Sequence, residues 1–476
     1  MNDIVDPSEL DRVFGASSSG ATPLARALSS DRLYVRGQAQ VAEDRPEATG
    51  LRMNATQVLR SFGYEALRAI AEDGAFQITS AREEPARTLL ARREQLGLDH
   101  RQVARAADLT PAKVAKAETP GQVTPIRELQ RLGQTLALDE QVLGFIPGAG
   151  GDEELGVRLR TLSRNREDAP VLSVNLVLQL AEAAWVIARE RELAELLGDV
   201  PEVYLGEEWD DDYYAPVFEK GYRLAERTRS ELGLPEHEPV RSLREILRRL
   251  DIPLIQVEMG ATFAGATVSN GASRGVIVNT QGANQNVWVR RMTAAHELGH
   301  ILWDPPSRLG RVRVDTFDEI QQLSGDQVET RANAFAIAFL APPRAVERLY
   351  DELSDYATMI AVLMDRFGLS FTAARLHLAN VIKNRRGVVL NLQNVKGGKM
   401  PRPSEDWQIR EDWTNDFYPV ATGPITRRGT FGARVARAVR ERLLTLDIAA
   451  EWLRSRPDDI SGKIEELVSL ERQSAT

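Results

Sequence analysis

Cysteine is absent from the 476 residues. That excludes disulfides, thiolate catalysis and every metal or iron–sulfur site built on sulfur ligands. Histidine is scarce, at five, so any imidazole site must draw on His100, His237, His296, His300 and His377. Aromatic residues make up only 6%, while Ala, Leu, Arg and Glu dominate, a balance that favours helix over sheet. No run approaches the roughly 20 apolar residues needed to span a bilayer. The opening Met1-Asn-Asp-Ile-Val-Asp-Pro7 is acidic and carries no apolar core of a signal. The expectation is a cytoplasmic chain with no membrane partner. A net charge of −9 argues against a surface coated with nucleic acid, but leaves room for one basic module.

What is present is a soluble composition, 43% apolar and 27% charged, spread over a length that suggests two to four domains. Residues 1–80 mix short helical patterns with polar stretches such as Gly15-Ala-Ser-Ser-Ser-Gly20 and read as a partly ordered leader. Residues 86–147 form short amphipathic helices. Gly97 breaks the first; Val103, Ala104 and Ala107 make the apolar face of the next; Thr110 caps a third, with Pro111 at its first position. Ile146-Pro-Gly-Ala-Gly-Gly-Asp152 is a linker by composition. Residues 150–245 read as a helical connector, and the acidic run from Glu207 to Asp212 as a solvated loop. At Ile252 the pattern changes to three short strands, Ile252–Val257, Ala264–Val268 and Gly275–Asn279. Helices follow at about Asn286–Trp303 and Asp326–Leu340, each stopped by a Pro pair. Residues 386–476 form a helical region, with helices including Val435–Leu444 and Ile448–Leu453, to which the pattern assigns no role.

The chemistry concentrates in His296-Glu-Leu-Gly-His300. Residues four apart share a helix face, so both imidazoles reach one metal ion, and neutral imidazole suits Zn2+. Glu297 between them stands where it can take a proton from water and return one to a leaving amine, as general base and acid. A catalytic zinc needs a third protein ligand. With no cysteine and no third histidine nearby, a carboxylate from a later helix must serve. Glu329 is the best candidate; Asp315, Asp318, Glu319 and Asp326 compete. Asn333, one turn after Glu329, would hydrogen-bond a ligand imidazole from behind.

The stretch Arg290–His300, with Glu329-Thr-Arg-Ala-Asn-Ala-Phe-Ala336, Leu340-Ala-Pro342 and Phe367–Leu376, resembles the ImmA/IrrE family of metallopeptidases over roughly residues 245–385. The resemblance implies a small α/β zinc-peptidase fold, metal held by His296, His300 and Glu329, and cleavage of a protein substrate, typically an Xre-type helix-turn-helix repressor. Members commonly carry glutamate where this chain has Arg331, which is not a ligand position. His377 follows the catalytic part and would either stabilise an oxyanion or play a plain surface role; His237 sits in a loop expected to be exposed.

Residues 86–145 resemble the Xre (lambda-repressor-like) family, with Gln102–Ala107 as the first helix of the motif and Thr110–Glu118 as the recognition helix. Lys113, Lys116 and Arg101 would then face operator DNA. Seven basic and four acidic residues over 86–120 give +3 locally, as phosphate contact requires. Asp99-His100 stands where the family usually has Ser-Gln, and Thr119 where Gly is usual. The alternative is a module that docks protein. The expected fold class is therefore multidomain and mainly α, an all-α helix-turn-helix module plus a small α/β zincin-like domain (residues 246–385) with a short sheet. Two functions stand open: a zinc endopeptidase acting on a regulatory protein, and a DNA-binding regulator whose zinc domain senses or scaffolds. A closed structural zinc site is the third reading, and a homodimer is compatible with either of the first two.

Overall fold

The computed structural model describes residues 6–36, 50–76, 83–139, 143, 172–201, 216–270, 273–304, 313–316, 327–411, 419–420 and 422–473. The linker at 146–152, the acidic run at 207–212, and Asp318, Glu319 and Asp326 lie outside them. The chain is mainly helical with small sheets, and its contacts divide it into two units. No single helix among the described residues is long and apolar enough to cross a membrane.

The first unit comprises residues 1–156, 189–199 and 417–473. It opens with α1 (Pro7–Phe14) and α2 (Pro23–Ser29) and a hairpin of β1 (Leu33–Arg36) and β2 (Leu51–Asn54). The sequence pattern had suggested only short helices there; four-residue strands are too brief to show an alternation. Next come α3 (Ala55–Asp73), α4 (Glu84–Gln95), α5 (His100–Ala106), α6 (Pro111–Ala117) and α7 (Ile126–Thr135). The end of α8 (Val174–Leu197) joins this unit, where Glu190 lies 3.3 Å from Arg434, both buried.

The second unit comprises residues 157–188, 200–416 and 474–476. After α9 (Val217–Glu231) and α10 (Leu243–Arg249) come β3 (Leu254–Val257), β4 (Phe263–Asn270) and β5 (Ser273–Asn279). Then follow α11 (Val287–Trp303), β6 (Arg313–Thr316), α12 (Gln327–Leu340), α13 (Pro343–Glu352), α14 (Tyr356–Phe367), α15 (Phe371–Arg386) and α16 (Glu405–Glu411). The strand order is β3-β5-β4-β6, with β3 parallel to β5 and the other pairings antiparallel. β6 was not foreseen. Its pairing makes β4 interior, as β3 and β4 already make β5, so the outer strands among the described residues are β3 and β6.

Helix α11 is the spine of this unit. Asn286 caps it, its side chain accepting from the Trp288 N–H at 2.9 Å, and nearly every residue along it is buried. One face lies on β4 and β5, the other on α12. Gly299 permits the second contact: a Cβ there would stand 2.8 Å from the Phe335 ring. Phe335 and Phe339 stack at 5.5 Å, and burying each contributes roughly 2–3 kcal/mol. At the other end, the fully buried Arg291 guanidinium pairs with the equally buried Glu411 and donates to the Val240 carbonyl at 2.7 Å. Arg291 also lies over the Trp407 ring at 4.4 Å. Glu411 in turn accepts from the Leu243 N–H at 2.8 Å, so one ion pair ties α16, α10 and α11 together. Glu411→Ala should leave an uncompensated buried cation and cost about 3–5 kcal/mol. Urea denaturation of the full chain would measure it, and a loss under about 1 kcal/mol would show that the pair does not hold these helices.

Candidate metal centre

On α11 the four-residue spacing puts His296 and His300 one above the other, their rings 4.6 Å apart and their Nε2 atoms 3.0 Å apart. Helix α12 brings Glu329 up against both: its Oε2 lies 3.3 Å from His296 Nε2 and its Oε1 3.5 Å from His300 Nε2. All three side chains are buried. They are the one group among the described residues whose donor atoms could hold a metal ion, with all these atoms within 4.8 Å of one another. Asp315, another carboxylate the sequence offered, lies on β6.

The rings are set from behind. Asn333, one turn after Glu329, places its Oδ1 2.9 Å from His296 Nδ1. Asp304, which also ends α11, places its Oδ2 3.0 Å from His300 Nδ1 and is itself paired with Arg331. Each imidazole therefore carries its hydrogen on Nδ1 and turns the Nε2 lone pair inward. Two such lone pairs 3.0 Å apart cannot satisfy one another, whereas a cation between them and a carboxylate satisfies all three. The residues fit a metal. Burial would raise the pKa of Glu329, but in the metal-free site protonated His296 and His300, donating through Nε2, would hold it well below the usual carboxylate range. Glu329 is an anion at neutral pH.

Glu297, next to His296, lies against the sheet. Its Oε2 accepts from the Thr267 hydroxyl on β4 at 2.7 Å. Gly265, two residues earlier on the same strand, leaves room for it: a Cβ there would stand 2.9 Å from Glu297 Oε1 and 2.8 Å from the Thr293 methyl. Thr293 donates to Asn284 Oδ1 at 3.0 Å, and the Asn284 amide donates to the Ala264 and Asn279 carbonyls. The helix is thus pinned to the strand beside the Glu297 carboxylate.

Asp304, Arg331 and Thr267 escaped the sequence reading. Asp304 had a signal, since it lies one turn beyond His300 on the same face, but the Pro pair after it read only as a helix stop. Thr267 had none, because only the sheet register brings it to Glu297. Arg331, noted as a departure from the family pattern, holds Asp304.

The other histidines have other tasks. His377 on α15 is buried, with Nε2 2.8 Å from the Ala341 carbonyl and Nδ1 3.2 Å from the Tyr222 hydroxyl. Both nitrogens are engaged, which leaves neither to polarise a substrate carbonyl. His100 Nε2 lies 2.9 Å from Glu118 Oε2, and the buried Glu118 carboxylate also takes Arg93 Nε at 2.7 Å. His237 is half-buried rather than exposed. In the first unit Arg101, Lys113 and Lys116 are exposed, and Lys113 Nζ lies 2.7 Å from Glu128 on α7.

Residues 282–378 match the family model Peptidase_M78, described as the IrrE N-terminal-like domain. The matched segment spans both histidines, Glu297 and Glu329, and makes this part of the chain similar to a metallopeptidase domain. No curated protein matches the chain.

Two outcomes are expected. Asn333→Ala and Asp304→Ala should each weaken metal affinity by about 10–100-fold, read by chelator competition; affinity unchanged in both would mean the rings are oriented by something else. Burial pushes the His377 pKa down to about 4 from 6.5, against the pull of its bond to Ala341. Its folded form stays neutral between those values while the unfolded chain takes up a proton, so stability is lost as pH falls from about 6.5 to about 4, by up to about 3 kcal/mol. His377→Gln should flatten that loss, seen as a smaller difference in urea midpoint between pH 7.5 and 4.5.

Proposed function

We propose that the second unit is a zinc-dependent endopeptidase that cleaves a regulatory protein. The observation that carries the reading is the trio His296, His300 and Glu329 with Glu297 on the next helical position and held by Thr267. Donor atoms around a tetrahedral zinc, with bonds of about 2.0–2.1 Å, stand about 3.3 Å apart, and the separations of 3.0, 3.3 and 3.5 Å suit that ion. Among the described residues the site offers three protein ligands rather than four, which matches a catalytic site and disfavours a closed structural one. A zinc ion held there supplies Lewis acidity toward a peptide carbonyl and makes water easier to deprotonate.

The chain's own contribution is proton handling. Glu297, one oxygen fixed by the Thr267 hydroxyl, takes the proton from the attacking water and delivers it to the departing amine. Its hydrogen bond sets which way the carboxylate faces, so no rotamer search precedes the transfer. By resemblance to the ImmA/IrrE peptidases, the substrate is an Xre-type helix-turn-helix repressor.

The test uses the full chain loaded with zinc and a panel of small Xre-type repressors, with new termini followed by mass spectrometry. Wild type should cut one of them at a defined bond. Glu297→Gln should keep one zinc per chain and lose cleavage by at least a thousandfold. Equal cleavage by the variant would remove the general-base role, and no cleavage by either would remove the peptidase reading.

A further inference from the structure

The C-terminal part of the first unit consists of α17 (Thr430–Arg440), α18 (Leu446–Trp452), α19 (Pro457–Ser461) and α20 (Ile464–Gln473). The first three begin 346 residues after α4, α5 and α6, which start at Glu84, His100 and Pro111. The same displacement relates their internal bonds. Asp99 accepts from the Gln102 N–H as Thr445 does from Ile448. The Leu109 N–H reaches the Ala104 carbonyl at 2.8 Å, and Ser455 reaches Ala450 at 2.9 Å. Between these helices Asp108 and Arg454 both take the left-handed conformation, with φ of 53° and 47°. A proline opens the third helix of each set, and Val114 and Ile460 are buried at the same place in it.

Surface charge does not follow the repeat. Where the first copy exposes Arg101, Arg105, Lys113 and Lys116, the second has Asp447, Glu451, Asp459 and Gly462. Four cations become three carboxylates and a glycine. The start of α18 is also covered. Asp447 takes hydrogen bonds from Arg52 Nε at 3.1 Å and Nη2 at 3.0 Å, while the Thr445 hydroxyl donates to the Arg52 carbonyl at 2.7 Å. The Asn54 amide donates to the Arg442 and Leu443 carbonyls. Asp459 is paired with Arg456.

We infer that the chain carries two helix-turn-helix motifs that have divided their labour: the first binds duplex DNA through its exposed basic face, and the second, charge-reversed at the equivalent positions, is a scaffold on which strand β2 docks. Duplex DNA presents one negative charge per about 1.7 Å, and affinity at such a face comes from cations that neutralise phosphates. The first copy has them at the positions that meet the backbone and the major groove. The second places carboxylates there, and its leading edge is occupied by protein. This inference does not depend on the peptidase reading.

The probe is a fluorescein-labelled 30-base-pair duplex of random sequence, titrated with the full chain by anisotropy at 50–200 mM salt. Wild type should bind, with log affinity falling against log salt at a slope of about −3 to −4, for about four phosphates. Lys113→Glu with Lys116→Glu should weaken binding at least tenfold. Arg456→Glu with Lys463→Glu changes net charge by the same amount in the second motif and should alter binding less than twofold. Circular dichroism of both variants confirms retained helix. Absence of wild-type binding at 50 mM salt would overturn the inference, as would equal effects of the two double variants or no effect of the first.

Discussion

Two imidazoles on one helix share a cation only if both rings are turned with Nε2 inward, and that rotation is decided at the opposite nitrogen. His296 and His300 obtain it from Asn333 and Asp304, at 2.9 and 3.0 Å. The rest of the second unit follows from keeping those two partners in place. Asn333 is positioned by the packing of α12 on α11, for which Gly299 makes way for Phe335. Asp304 closes α11 and is steadied by Arg331. The same helix is held at its other end by the buried pair of Arg291 and Glu411. A ligand side chain that is fully buried and hydrogen-bonded has little freedom left to lose when a metal arrives.

Much of this was legible before the structure because it is local. Helical spacing places His296 and His300 on one face, the pattern starts the helix near Asn286, and the Pro pairs after Asp304 and at Pro342 mark helix ends. The choice of Glu329 over nearby carboxylates came from resemblance as well as spacing, and the geometry groups it with both histidines. The illegible parts are those made by pairing distant segments. Thr267 meets Glu297 only through the lie of β4 on α11, and β6 and the β1–β2 hairpin are too short to show a period.

The repeat in the first unit is hard to see in the sequence for a different physical reason. Backbone geometry is specified by a few buried positions and a turn, and these the two copies share in kind, as Val114 and Ile460 or Asp108 and Arg454 show. Charge and the glycine at Gly97 mark the first copy, whereas the second makes its left-handed turn with Arg442, one residue earlier in register because its first helix is one residue shorter, and its surface has the opposite sign. Shape and surface chemistry are written in different residues, so one can be kept while the other is replaced.

The two histidines differ in what stands behind them. A neutral amide faces His296, whereas His300 leans on a carboxylate that a guanidinium keeps from claiming the proton outright. Negative charge relayed through a ring makes its far nitrogen the stronger electron donor, so the pair forms an uneven grip. An ion held there would be gripped more firmly at the end of helix α11, by His300, than one turn before it, by His296.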